Sequence, residues 1–302
     1  MVTSTTSAAK SGTLFSGLGR MIGAEFLKLR KRSLTRVLMF ILVGIIALVN
    51  LLLLAVSKAN LPARGNGQGL ANIRDLLGLS SGIPFAFSLM ASFGVVLAII
   101  LAASSMGSEY NWKTIRTALI SSESRFKFLT AKLISISAMI IMGMFIGVVV
   151  AVIMSIITNA IGGYAFDFSF LTGSYVWQQF LQFWLTFYTI VPFATLAFMM
   201  SIVGRSAMPG ISTGIGMLFL EGIITTFMRL ASGWIAKVPD YLLNANVQAI
   251  TALNQLPRGF GMGAGSTDTT VSVTHAYITL GLYSLAFLAL AYYLFRKRDV
   301  TG

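Results

Sequence analysis

Gly107-Ser-Glu-Tyr-Asn-Trp-Lys-Thr-Ile-Arg-Thr-Ala-Leu-Ile-Ser-Ser-Glu-Ser-Arg-Phe-Lys-Phe-Leu-Thr-Ala-Lys132 is a polar, basic stretch set between two membrane-length apolar runs. Its pattern predicts a small amphipathic helix, a break, and a second basic helix that enters the bilayer. A segment that only reversed the chain could be short and of arbitrary composition. This one carries charges and aromatic residues in a pattern suited to meeting a partner.

The medium on either side follows from composition. Hydrophobic residues make up 56% of the chain, charged residues 10%, and the mean hydropathy is +0.83. Most of the 302 residues therefore cannot face water, and the chain reads as an all-α integral membrane protein. Crossing a hydrocarbon core of ~30 Å takes about 20 helical residues. Six segments qualify, near Val37 to Ser57, Phe85 to Met106, Leu133 to Ile157, Phe180 to Val203, Pro209 to Met228 and His275 to Phe295. Each must satisfy its own backbone hydrogen bonds in lipid, which selects helices over open strands.

Orientation comes from the cations. Most of the 22 lysines and arginines lie in the leading tail (Lys10 to Arg36), between spans two and three (Lys113, Arg116, Arg125, Lys127, Lys132), at Arg205, and at Arg296, Lys297 and Arg298. The positive-inside rule then predicts a multi-pass protein of the cell membrane with both termini cytoplasmic. It also explains the net charge of +13 by topology and anionic lipid, with no nucleic-acid partner required.

Residues 1–13 read as a disordered tail, and the Ser/Thr-rich start lacks the apolar core of a signal peptide. From Leu14 to Arg36 the apolar positions Leu14, Leu18, Ile22, Phe26 and Leu29 recur at helical spacing, which predicts an amphipathic helix on the membrane surface. Residues 37–302 form the six-span domain. Pro239 to Gln255, in the long loop before span six, predicts an amphipathic or re-entrant helix, followed by a flexible connector at Gly259 to Gly265.

This layout resembles the permease subunit of ABC transporters of the type-2 exporter class. The residues that carry the resemblance are Glu109, Tyr110, Thr114, Arg116, Thr117 and Leu119, then Ser124 and Arg125, then Ala131, Lys132 and Leu133. The ending Phe295-Arg-Lys-Arg-Asp-Val300 is also similar to that family's. Lys113 and Ser122 depart from its usual glycine and proline. The resemblance implies an N-terminal elbow helix and a cytoplasmic coupling helix between spans two and three. It also implies an ATPase-coupling interface at Glu109, Tyr110, Trp112, Lys113, Thr114, Arg116 and Arg125. The chain lacks a Gly-x-x-x-x-Gly-Lys-Ser/Thr phosphate loop, so ATP and magnesium are expected on a separate ABC ATPase subunit, present in two copies. A second permease copy or a related permease would complete the exporter, with this chain moving substrate by alternating access.

Enzyme chemistry has little to stand on. Gly78-Leu79-Ser80-Ser81-Gly82 matches a nucleophile-elbow pattern, but the fold context is missing and His275 is the only histidine. With no cysteine and no histidine cluster, no metal or cofactor site is expected, and the 15 methionines read as core filler. Within the spans, Glu221 is the costly residue, and with Asn50 it is the candidate lining of a translocation path. The alternative is a structural contact between helices. Gly143 with Gly147, and Gly210 with Gly214, predict close helix packing. Pro192 predicts a kink in span four. Two other function classes remain beside the exporter: a proton-coupled secondary transporter using Glu221, and a non-transporting anchor or sensor. The absence of recognisable inverted repeats weighs against the first, and the 107–132 segment weighs against the second.

Overall fold

The computed structural model describes residues 14–58, 76–111, 124–163, 168–231, 233–254 and 271–297. The predicted disordered tail, the Gly259 to Gly265 connector, and Trp112, Lys113, Thr114 and Arg116 lie outside the described residues. Among the described residues the chain is helical throughout, with no strand.

Helix α1 (Leu14–Lys31) precedes α2 (Ser33–Lys58), the first of six helices long and apolar enough to cross a membrane. The second, Gly82–Asn111, is assembled from α3 (Gly82–Leu89), a π-helical turn (Met90–Gly94) and α4 (Val95–Asn111). The others are α5 (Arg125–Gly162), α6 (Gly173–Gly204), α7 (Ala207–Leu230) and α9 (Val273–Lys297). Between α7 and α9 lie a 3₁₀ helix (Ile235–Tyr241) and α8 (Leu243–Thr251). All six helices contain the predicted spans, and the second, third and fourth run a turn or more past them because polar end turns continue the helix where hydropathy has already faded.

Local chemistry sets the boundaries. Ser124, Thr172 and Ser206 cap α5, α6 and α7, each accepting a hydrogen bond from a backbone N–H of the first turn. Gly163, at φ 72°, closes α5 in the left-handed conformation that costs glycine least. Arg205 takes the same conformation at φ 51° to close α6, so that the chain can turn directly into α7. Pro192 sits inside α6, one turn from Thr195, whose hydroxyl donates to the carbonyls of Val191 and Pro192. Pro239 was expected to open a helix but lies within the 3₁₀ segment. The α-helix begins four residues later, after the extended Leu242.

Helices α4, α6 and α7 pack on one another, with α9 against α6 and α8 against α9. On the other side α5 carries α1, α2 and α3. The glycine pairs make these approaches possible. A Cβ on Gly143 would stand 3.1 Å from Met39 Cε, and one on Gly214 would stand 2.7 Å from Ile99 Cγ2. The C-terminal half of the α1 apolar stripe faces this bundle: Leu29 is buried and Phe26 packs against the core, as does the neighbouring Met21. Outward-facing Phe40, Phe145, Phe219 and Leu282 supply the apolar exterior that a bilayer requires.

Candidate functional site

The 107–132 stretch is flanked by a cluster of charges. Glu109, near the end of α4, is completely buried. It was expected to offer its charge to a soluble partner, yet the structure turns it inward. A buried carboxylate is retained only where cations and hydrogen bonds replace its lost water, and here three cations do so. Lys28 of α1 donates to Glu109 Oε1, Lys132 of α5 donates to the same oxygen at 3.2 Å, and Arg32 Nη2 lies 3.8 Å away. Lys132 is itself 1% exposed and also donates to Glu25 Oε2 of α1 at 2.9 Å. Lys28 stands 3.8 Å from Glu25 Oε1, and Arg32 Nη1 donates to the Ser104 carbonyl at 3.5 Å. Beside this cluster Ser135 donates to the carbonyl of Ile22 at 3.1 Å, adding a link between α1 and α5.

The far end of the segment is anchored differently. Arg125, exposed at the start of α5, donates to the Arg296 carbonyl in the last turn of α9 at 3.4 Å, where helix carbonyls lack partners of their own and favour a cation. Thr130 and Tyr292 share a hydrogen bond of 2.7 Å, and Phe126 stacks on Tyr292 with ring centroids 4.9 Å apart. Phe128 stacks on Phe295 in the same way at 6.1 Å. Tyr110 is half-buried against the core. The described end of α4 is therefore held by the charge cluster, and the described start of α5 by its contact with α9.

Sequence reading singled out Glu109 but missed its partners in α1. One signal was available: Glu25 is the only acidic residue in the first 74, amid a run of cations. A lone carboxylate in such company is a candidate ion-pair partner.

The intramembrane candidates are not brought together. Asn50 is 5% exposed and its amide donates to the Ile46 carbonyl of its own helix at 2.8 Å. Helix α2 packs chiefly on α5, whereas α7 packs on α6 and α4. Glu221 is 2% exposed, and its Oε1 accepts a hydrogen bond from the Asn244 backbone N–H at 2.9 Å. Asn244 lies in the first turn of α8, whose N-cap residue, Leu242, has no side-chain oxygen to offer. Glu221 thus takes the place of an N-cap from a neighbouring helix and meets the positive end of the α8 dipole. His275 joins the same region, its Nδ1 3.2 Å from Asn246 Oδ1, while the Asn246 amide donates to the Asp240 and Leu242 carbonyls. This network holds the 3₁₀ helix, α8 and α9 together. Among the described residues no group of histidines, cysteines or carboxylates is arranged to hold a metal.

These features define a multi-pass helical membrane protein whose second and third spans are clamped to an N-terminal helix by buried charge. The chain belongs to the family described as Protein of unknown function (DUF2705), whose model matches residues 74–301. It is also similar to "Uncharacterized protein YhcI" of Bacillus subtilis (strain 168), with 28% identity over 215 residues covering 68% of this chain. The match spans 64% of that relative's length.

Proposed function

We propose that this chain is the membrane-spanning permease subunit of an ATP-driven ABC exporter, working with a separate ATPase subunit in the cell membrane. In this reading α1 is the elbow helix and the coupling helix lies between spans two and three, with both termini on the cytoplasmic side. The observation that carries it is the buried cluster of Glu109, Lys132, Lys28 and Glu25. A segment that receives a push from a soluble motor must pass it to the spans, and the cluster ties the flank of that segment to α1, α4 and α5 at once. Among the residues that carry the family resemblance, Glu109 and Lys132 meet in space although 23 positions apart. Trp112, Lys113, Thr114 and Arg116 then provide the surface that meets the ATPase, and Glu109 acts by positioning it. Two permease copies, or this chain and a related one, would pair with two ATPases. Binding and hydrolysis of ATP with magnesium would occur on those subunits.

The proton-coupled reading has weaker support: Glu221 Oε1 caps α8 through the Asn244 N–H, a structural role, while Oε2 is buried without a hydrogen-bond partner among the described residues. The test is co-purification from membranes with candidate ATPase subunits, followed by an ATPase assay. A Lys113→Ala/Arg116→Ala double variant should lose the ATPase or uncouple it, and Glu109→Gln should weaken coupling while leaving residual binding. If the intact chain recovers no ATPase under mild conditions and substrate movement follows a proton gradient, the exporter reading fails. Normal assembly with no transport under either driving force would favour the anchor or sensor reading.

A further inference from the structure

Helices α2, α4 and α5, with the π-helical turn and Ile190 of α6, leave between them a shallow apolar groove with a cavity volume of about 50 Å³. Its wall is aliphatic and thioether, including Met39, Met90 and Met139, with bare backbone at Gly94 and Gly143. The wall carries one hydroxyl, that of Thr35. Thr35 is 3% exposed, and its Oγ1 has no hydrogen-bond partner among the described residues. A buried hydroxyl without a partner is costly, and in a helix it could have turned to a carbonyl one turn back, as Ser104 and Thr130 do. The groove wall also includes two residues of the π-helical turn, Met90 and Gly94, and such turns are frequent at functional sites.

The surroundings select the occupant. The groove lies on span-forming helices and is only half-covered at Met39, Gly94 and Leu97. Its walls offer too few polar partners to hold water. Hydrocarbon is the solvent there. At the Thr35 end stand three cations, Lys31, Arg32 and Arg36. Lys31 and Arg36 are exposed, Arg36 donating to the Lys31 carbonyl at 3.2 Å, while Arg32 faces Glu109. The two carboxylates nearby, Glu25 and Glu109, are engaged by the buried cluster.

We infer that this half-open groove seats the upper methylenes of one acyl chain of an anionic phospholipid, with an ester oxygen accepting a hydrogen bond from Thr35 Oγ1 and the phosphate lying against Lys31 and Arg36. The inference is independent of whether the chain transports anything. The groove is a site for a bilayer lipid held by the subunit, with specificity for headgroup charge.

Native mass spectrometry of the purified full chain tests it, by titration with phosphatidylglycerol and with phosphatidylcholine of identical acyl chains. The wild type should retain one phosphatidylglycerol about fivefold or more tightly than phosphatidylcholine, the factor expected from a cation or two near the headgroup. Thr35→Val, which keeps the shape, should weaken binding of both lipids about threefold to tenfold, as one net hydrogen bond implies. Lys31→Gln with Arg36→Gln should erase the headgroup preference while leaving a bound lipid. Gly143→Leu should fill the groove and abolish the tight site, and Met39→Trp, at the half-covered wall, does the same if Gly143→Leu does not fold. Equal retention of the two lipids by the wild type would overturn the inference. So would unchanged phosphatidylglycerol binding in Thr35→Val and in the folded groove-filling variant.

Discussion

Lys132 Nζ lies 3.2 Å from Glu109 Oε1, and neither side chain is exposed by more than 1%. Each replaces part of the other's lost water, beside Lys28 and Arg32 at Glu109 and Glu25 at Lys132. Removing one partner leaves a buried charge with fewer partners, whereas removing both relieves that imbalance on this axis. Glu109→Ala and Lys132→Ala should each destabilise the protein, by at most the about 3–5 kcal/mol of a fully broken buried pair, because the remaining partners compensate in part. A Glu109→Gln/Lys132→Met double variant should lose clearly less than the sum of the matching single changes. Thermal unfolding in detergent across the double-mutant cycle checks this, and strict additivity would mean that the two residues are not coupled.

Glu221 holds the first turn of α8 through the Asn244 N–H. Glu221→Ala should therefore loosen residues 243–251 by about 0.5–2 kcal/mol, the value of a lost cap, and Glu221→Gln by less, since it keeps an acceptor. Hydrogen exchange of the α8 amides reads this directly. Retained transport with normal assembly in Glu221→Ala would remove the residue from the mechanism and leave the capping role.

Two glycines should respond in opposite ways. A Cβ on Gly107 would run into the backbone of Ala207, where α4 meets the start of α7, whereas one on Gly216 would meet nothing within 4 Å. Gly107→Ala should cost about 1–3 kcal/mol by overpacking. Gly216→Ala should be neutral or stabilise by up to about 1 kcal/mol through helix propensity. Melting temperatures of the two variants, compared at equal expression, decide the point.

Tyr292 bridges α9 to Thr130 of α5 through its hydroxyl while its ring stacks on Phe126. Tyr292→Phe should cost about 0.5–1.5 kcal/mol, since the stack survives and one hydrogen bond is lost. Tyr292→Ala should cost more, because the stack goes too. If the exporter reading holds, both should also raise uncoupled ATPase activity, as the start of α5 loosens from α9.

The glycine spacings show what a local pattern conveys well. Gly143 with Gly147 and Gly210 with Gly214 promised close helix approach, and the structure sets Gly143 against Met39 of α2 and Gly214 against Ile99 of α4. Small residues at one-turn spacing make a flat helix face wherever the helix sits. They do not say which helix comes to it. The same limit explains Glu221, whose expense in a span was readable but whose partner, the backbone of Asn244, was not.

The amino-acid sequence alone determined the apolar character of the surrounding medium and the six helices able to span it, because hydropathy and helical period act over a few residues. The tertiary structure decided that Glu109 turns inward to meet Lys28, 81 positions away, and that Lys132 reaches Glu25 across 107 positions. It also decided that the C-terminal half of the α1 apolar stripe rests on the bundle. The physical reason is that the helices find their partners through shape and buried charge. A lipid-facing stripe and a helix-facing stripe have the same composition, so only packing tells them apart.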